Sequence, residues 1–161
     1  MNRSRIRVIA YWVFTALVAY EMVAGAFWDL LHIEFTRVMM DRLRYPQYFP
    51  YVTGAWKLPC AMALVAPRFP RLKEWAYAGA FFNYYGAVAS HFLSGDRGAW
   101  PIALALALFT IASWALRPPD RRLPAPAQTE TVAASRWLVA AGVIGAMVVV
   151  SLLTLPRGPT P

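Results

Sequence analysis

Residues 8–31 read VIAYWVFTALVAYEMVAGAFWDLL, and this stretch decides the fold. It is almost wholly apolar and long enough for a helix to cross a lipid bilayer, which takes about 20 such residues. Only Glu21 and Asp29 interrupt it with charge. Charged side chains within a membrane helix usually face the interior of the protein. The sequence therefore predicts a membrane helix here, with both carboxylates turned away from lipid.

Four further apolar segments follow, at about 49–66, 75–93, 100–116 and 137–155. Hydrophobic residues make up 59% of the 161 residues, the mean hydropathy is +0.42, and only 15% of the residues are charged. A soluble domain of this size could not bury so much apolar surface, whereas lipid can cover it. We predict an all-α integral membrane protein, a four-helix transmembrane bundle plus a fifth C-terminal transmembrane helix, with no room for a soluble catalytic domain.

The basic residues indicate membrane orientation rather than a nucleic-acid partner. The net charge is +8 and the pI about 10.2, but the charges fall at the ends of the apolar segments instead of forming a patch. With the N-terminus inside, the cytoplasm receives ten basic residues: Arg3, Arg5, Arg7, Arg68, Arg71, Lys73, Arg117, Arg121, Arg122 and Arg136. The outside receives five: Arg37, Arg42, Arg44, Arg97 and Arg157. By the positive-inside rule we expect a multi-pass protein of the plasma (inner) membrane, with a cytoplasmic N-terminus and an outside C-terminus.

The chain divides into four regions by composition. They are a four-helix transmembrane unit at 1–117, a cytoplasmic linker rich in proline and alanine at 118–136, an extra transmembrane helix at 137–155 and a short tail at 156–161. Small residues recur at helical spacing in the extra helix, which predicts a packing face and allows a homo-oligomer. Apolar residues at helical spacing within 32–47 predict a short helix on the membrane surface.

Polar residues mark one face on each of the first three membrane segments. The faces comprise Glu21, Gly25, Trp28, Asp29 and His32; Thr53, Gly54, Lys57, Cys60 and Ala61; and Gly79, Asn83, Gly86, Ala87 and Ser90, with His91 beside them. A charge at the centre of a membrane helix costs at least about 2.5 kcal/mol, so such groups usually line a protein interior and have a function. We therefore predict one cavity with a central polar layer, and an outer layer that includes Asp96.

Two hypotheses concern the chemistry of that cavity. Glu21 and Lys57 could form an ion pair, completed by Asn83, because pairing keeps both groups charged in an apolar interior. The alternative is that such a pair only fixes the register of the helices. His91 could donate protons or bind a ligand at the outer mouth, since histidine titrates near neutral pH. The alternative for His91 is a hydrogen bond to a neighbouring helix.

No cofactor is evident from sequence motifs. The chain has no phosphate loop, zinc-ligand spacing, nucleophile elbow or dinucleotide fingerprint, and Cys60 is most simply a small buried hydrophobe. Haem held by His32 and His91 is disfavoured, because the glycines needed around a macrocycle are not clearly arranged. No metal site is predicted.

An ordered set of local sequences resembles the DoxX-like family of small helical membrane proteins. The set begins with Tyr45-Pro46, Gly54 with Trp56-Lys57, and the run PRFPRLKEWAYAG at residues 67–79, and it continues with Gly86-Ala87, Ser90-His91 and Arg117-Pro118. The resemblance spans roughly residues 9–122 and implies a four-helix membrane bundle. Related DoxX and DoxD proteins are subunits of quinone-linked oxidoreductases. The polar positions typical of the family are Lys57, Glu74, Tyr77, Ser90 and His91.

Together, the residues and the resemblance favour a membrane subunit that binds a small lipophilic molecule, a quinone, among its first three membrane helices. The predicted catalytic residues are Glu21, Lys57 and His91, and the predicted substrate-binding residues are Trp28, Asp29, Asn83, Tyr77 and Ser90. Because no redox group is evident, electrons would come from a soluble or membrane oxidoreductase partner or directly from substrate. The alternatives are transport of protons or a small solute, and a non-catalytic membrane anchor or assembly factor.

Overall fold

The computed structural model describes residues 3–96, 98–124 and 134–154, and every regular secondary-structure element in this part of the chain is a helix. The helices are α1 (Arg3–Leu30), α2 (Glu34–Leu43), α3 (Phe49–Val65), α4 (Pro70–Ser94), α5 (Trp100–Leu116) and α6 (Ala134–Leu153). The predicted all-α class is confirmed. The short helix expected within 32–47 is present as α2.

Proline and left-handed residues set most of the helix boundaries. Pro50, Pro70 and Pro101 each lie in the first turn of a helix, where a missing N–H costs nothing. α4 ends at Gly95, whose φ of 77° suits glycine because it has no Cβ to clash. These local signals explain why the helix ends agree with the sequence prediction to within a few residues for α3 and α5.

Only α1, over Ser4–Leu30, is both long and apolar enough to cross a membrane by itself among the described residues. α3 and α5 are apolar but have 17 residues each, so they rise about 25 Å against a hydrocarbon core of about 30 Å. α4 is long enough, but it carries many polar residues. The number of membrane-spanning helices therefore stays a prediction.

α1, α3, α4 and α5 form a closed ring in which α1 packs on α3 and α5, and α4 packs on the same two helices. Their shared core contains Val18, Met22, Leu64, Ala80 and Tyr84. α2 packs against α4 and α1. This ring leaves a cavity where α2 covers one end of the bundle.

The chain forms two compact units, Met1–Leu123 and Pro124–Pro161. The boundary at residue 117 stays a prediction; after it, a 3-10 turn at Pro119–Arg121 lies within the first compact unit. Arg121 donates hydrogen bonds to the carbonyls at the end of α3, including that of Val65 at 3.4 Å, and so holds this turn against the bundle. Much of the predicted linker and all of the predicted tail, 156–161, lie outside the described residues.

Candidate functional site

A cavity of about 680 Å³ lies among α1, α2, α3 and α4. Its apolar lining is mostly methionine and aromatic, with Met22, Met39, Met40, Phe49, Trp56, Trp75 and Phe82. Its polar lining is Asp29, Tyr45, Thr53, Lys57, Cys60, Asn83, Ser90 and His91. Five of the eight predicted site residues thus line one cavity: Asp29, Lys57, Asn83, Ser90 and His91.

Lys57 forms an ion pair with Asp29, and its Nζ lies 2.8 Å from Asp29 Oδ2. Thr53 donates a second hydrogen bond to the same oxygen at 2.9 Å. Both charged side chains are close to 90% buried, so little water screens the pair. The ion pair that the sequence suggested between Lys57 and Glu21 is therefore made with Asp29, two turns further along α1.

Glu21 lies beside the cavity rather than in its lining, and it accepts a hydrogen bond from the Tyr84 hydroxyl. It is still a neighbour of Lys57. A methyl group added at Gly25 would lie 3.0 Å from Glu21 Oε1 and 3.1 Å from Lys57 Nζ. Gly25 thus leaves room for these two polar groups to approach each other behind the cavity wall.

His91 lines the cavity from the last turn of α4 and is 5% exposed. Its Nδ1 is 3.4 Å from Oδ2 of Asp96, in the loop after α4. A hydrogen bond from the Gly98 N–H, with smaller contributions from His91 and Arg42, lowers the pKa of Asp96. An ionised Asp96 at this distance can orient the imidazole of His91.

α2 covers the cavity. The sequence predicted this helix but not its position over the cavity. Met39, Met40 and Leu43 of α2 line it directly. Just after α2, the Tyr45 hydroxyl is hydrogen-bonded to Ser90 Oγ at 2.8 Å, which joins this segment to α4. The signal available in the sequence was the helical spacing of apolar residues in 32–47, which identified the helix but not its packing partner.

Two predicted site residues, Trp28 and Tyr77, lie elsewhere. The half-exposed Trp28 ring meets Phe35 of α2 edge-on, with centroids 5.9 Å apart. Tyr77 belongs to a buried cluster towards the ends of α3 and α5, where its hydroxyl is 2.8 Å from Ser113 Oγ. The guanidinium of Arg117 lies 5.0 Å from the centre of the Tyr77 ring.

The same end of the bundle holds a fully buried lysine, Lys73, which sequence reasoning treated only as a topology signal. Its ammonium donates hydrogen bonds to the carbonyls of Ala63, at 2.8 Å, of Leu64, at 3.2 Å, and of Ala66. These carbonyls have no partner within α3, so Lys73 caps that helix and complements its dipole. The role of Lys73 is therefore structural.

Glu74, a family-like position, pairs with Arg117 at 2.7 Å and accepts a hydrogen bond from the Trp114 indole at 2.8 Å. The pair joins the start of α4 to the end of α5. Glu74 thus stabilises the bundle at a distance from the cavity.

Within the described part of the chain, no cluster of three or more His, Cys, Asp and Glu side chains could hold a metal ion. The two histidines have separate partners. His32 shares a hydrogen bond with Gln47 at 2.8 Å, whereas His91 is next to Asp96.

A family model described as "DoxX-like family" matches residues 13–113, which include every residue that lines the cavity. No curated protein and no solved structure matches the chain.

Proposed function

This chain belongs to the DoxX-like family and is a membrane protein, and we propose that it binds a quinone as a subunit of a quinone-linked oxidoreductase. The observation that carries the proposal is the cavity among α1, α2, α3 and α4, with apolar walls and a cluster of polar groups. Pockets for small molecules typically have volumes of about 300–1,000 Å³ and combine apolar walls with a few polar groups.

The lining fits the requirements of a quinone head group. The ring needs flat apolar surfaces, which the aromatic residues and the small residues Gly79 and Gly86 offer. Its two carbonyl oxygens need hydrogen-bond donors. Lys57 has three N–H donors and uses one on Asp29, and the Asn83 amide can donate as well.

Proton transfer is the chemistry that this chain's own residues can supply. A bound quinone would supply two-electron redox chemistry, with electrons from an oxidoreductase partner or from substrate. Lys57 Nζ and the His91 imidazole can each hold a proton next to the cavity, and Asp96 orients His91. Glu21, close behind Lys57, places a second carboxylate near this ammonium group. Asn83 and Ser90 orient the ligand.

We further propose that α1, α3, α4 and α5 cross the plasma membrane together with α6. The placement of the N-terminus in the cytoplasm and the C-terminus outside rests on the ten-to-five division of basic residues given above. Trp28 and Tyr77 are then interface and packing residues rather than direct ligand contacts.

The test is mass spectrometry and absorbance on the protein extracted in native lipid. We expect stoichiometric quinone with the wild type and little with Asn83→Leu, His91→Ala, or the charge-balanced double variant Asp29→Asn/Lys57→Met. Glu34→Gln, which changes an exposed carboxylate on α2, should retain the quinone and serves as the matched control. A wild-type protein without quinone, from membranes that contain it, would overturn the proposal.

The second candidate function is transport of protons or a small solute. It is favoured by the Tyr84–Glu21 and Lys57–Asp29 contacts, which place polar and charged groups at two levels inside the bundle. Proteoliposomes with wild-type protein would then show a flux that Glu21→Gln abolishes. A copurifying partner with neither quinone nor flux would instead favour an anchor or assembly factor.

A further inference from the structure

The cavity has an opening on the side of the bundle. Trp56, Trp75 and Phe82 line the cavity, yet they are 51%, 80% and 66% exposed. Gly79, between the last two in sequence, is also exposed and lines the cavity. Because these residues come from α3 and α4, the cavity opens between these two helices.

The opening lies near the middle of the helices. Trp56 is nine residues before the end of α3 at Val65, and Gly79 is nine residues after the start of α4 at Pro70. The short connection 66–69 puts those two ends at the same face of the bundle. Both residues therefore lie about 13 Å from that face, level with the middle of a hydrocarbon core of about 30 Å. An opening at this depth faces lipid tails rather than water.

The cavity walls are apolar at the opening and become polar further inside. At the opening they are aromatic, and behind it lie the Lys57–Asp29 pair and Asn83. A ligand that contacts both the polar groups and the aromatic opening must have a polar head and an apolar tail. A compact water-soluble molecule would have to cross the hydrocarbon core to reach this opening, and it would leave the aromatic side unfilled.

We propose that this opening is a lateral portal for a membrane-dissolved amphiphile with a long apolar tail, whose head binds at Lys57, Asp29 and Asn83 while the tail passes Gly79 into the bilayer. The inference rests on the proposed function, and it adds the entry route and the tail. Gly79 lies in the opening itself, where it lines the cavity and is exposed. It has Trp75 one turn before it and Phe82 one turn after it on the same face of α4, and a Cβ added there would meet no atom within 4 Å.

The first test measures the affinity of two quinones, one with no tail and one with a decyl tail, for the wild type and for Gly79→Leu. Both proteins are held in lipid nanodiscs. The Gly79→Leu side chain occupies the opening through which the tail would pass, so affinity for the decyl quinone should fall about ten-fold or more. Affinity for the tail-less quinone should stay within about two-fold of wild type. Ala78→Leu, one residue along α4 and outside the cavity lining, should alter neither affinity. Equal losses for both quinones, or no loss for either, would overturn the portal.

The second test needs no quinone, so its result separates the portal from the proposed function. The probe is a long-chain alcohol with a diazirine next to its hydroxyl group, photolysed in nanodiscs and mapped by peptide mass spectrometry. We expect crosslinks within the cavity, at Met22 and Asn83, that Gly79→Leu removes and Ala78→Leu retains. Crosslinks confined to the outer surface of the wild type would overturn the portal, whether or not quinone binds.

Discussion

Lys57→Met should lower the free energy of unfolding by about 3–5 kcal/mol, because it leaves the buried Asp29 carboxylate without its counter-charge. The Thr53 hydroxyl remains as a donor to Asp29, but one neutral hydrogen bond does not replace an ammonium 2.8 Å away. The measurement is an SDS titration of the purified protein in mixed micelles, followed by tryptophan fluorescence.

The double variant Asp29→Asn/Lys57→Met should recover most of that loss, because no unpaired charge then remains and Thr53 can still donate to the amide oxygen. Arg37→Met is the matched control. It removes the cation of the exposed Arg37–Glu34 pair at 3.8 Å, and it should change stability by no more than about 0.5 kcal/mol. If Lys57→Met lowered the free energy of unfolding by no more than Arg37→Met does, the Lys57–Asp29 pair would be exposed to water, which would contradict its burial.

Gly54→Ala should lower the free energy of unfolding by about 1–3 kcal/mol, because α1 packs directly against this glycine of α3. A Cβ there would lie 2.9 Å from Leu30 Cγ, 3.0 Å from Asp29 Cβ and 3.1 Å from the Ala26 carbonyl oxygen. Leu30 can rotate, but a backbone oxygen and a Cβ on α1 move only if the helix moves. The shift would also displace Asp29, so we expect loss of bound ligand along with stability, measured by the same titration and by mass spectrometry.

Gly86→Ala is the matched control for this substitution. Gly86 lies in a helix of the same ring, but a Cβ there would meet nothing within 4 Å. Alanine is a better helix former than glycine, so this variant should be equal to the wild type or more stable by up to about 1 kcal/mol. Equal destabilisation by the two substitutions would mean that the α1–α3 contact is not the cause.

The sequence by itself determined where the helices lie along the chain and which face of each membrane helix points inward. Apolar runs and proline positions are local signals, so α3 and α5 were predicted within a residue or two, and the spacing of polar residues put Asp29, Lys57 and Asn83 on inward faces. The ordered residues from Tyr45 to Arg117 also indicate the family whose model matches residues 13–113.

Only the tertiary structure decided which groups become partners. Lys57 pairs with Asp29 rather than Glu21, although both carboxylates lie on one face of α1 and differ by about 12 Å in height. That choice depends on how far α3 slides and rotates against α1, which the close contact at Gly54 sets. The cap by Lys73, the cover by α2 and the opening at Gly79 likewise depend on distances between helices, and helical periodicity within one segment carries no information about them.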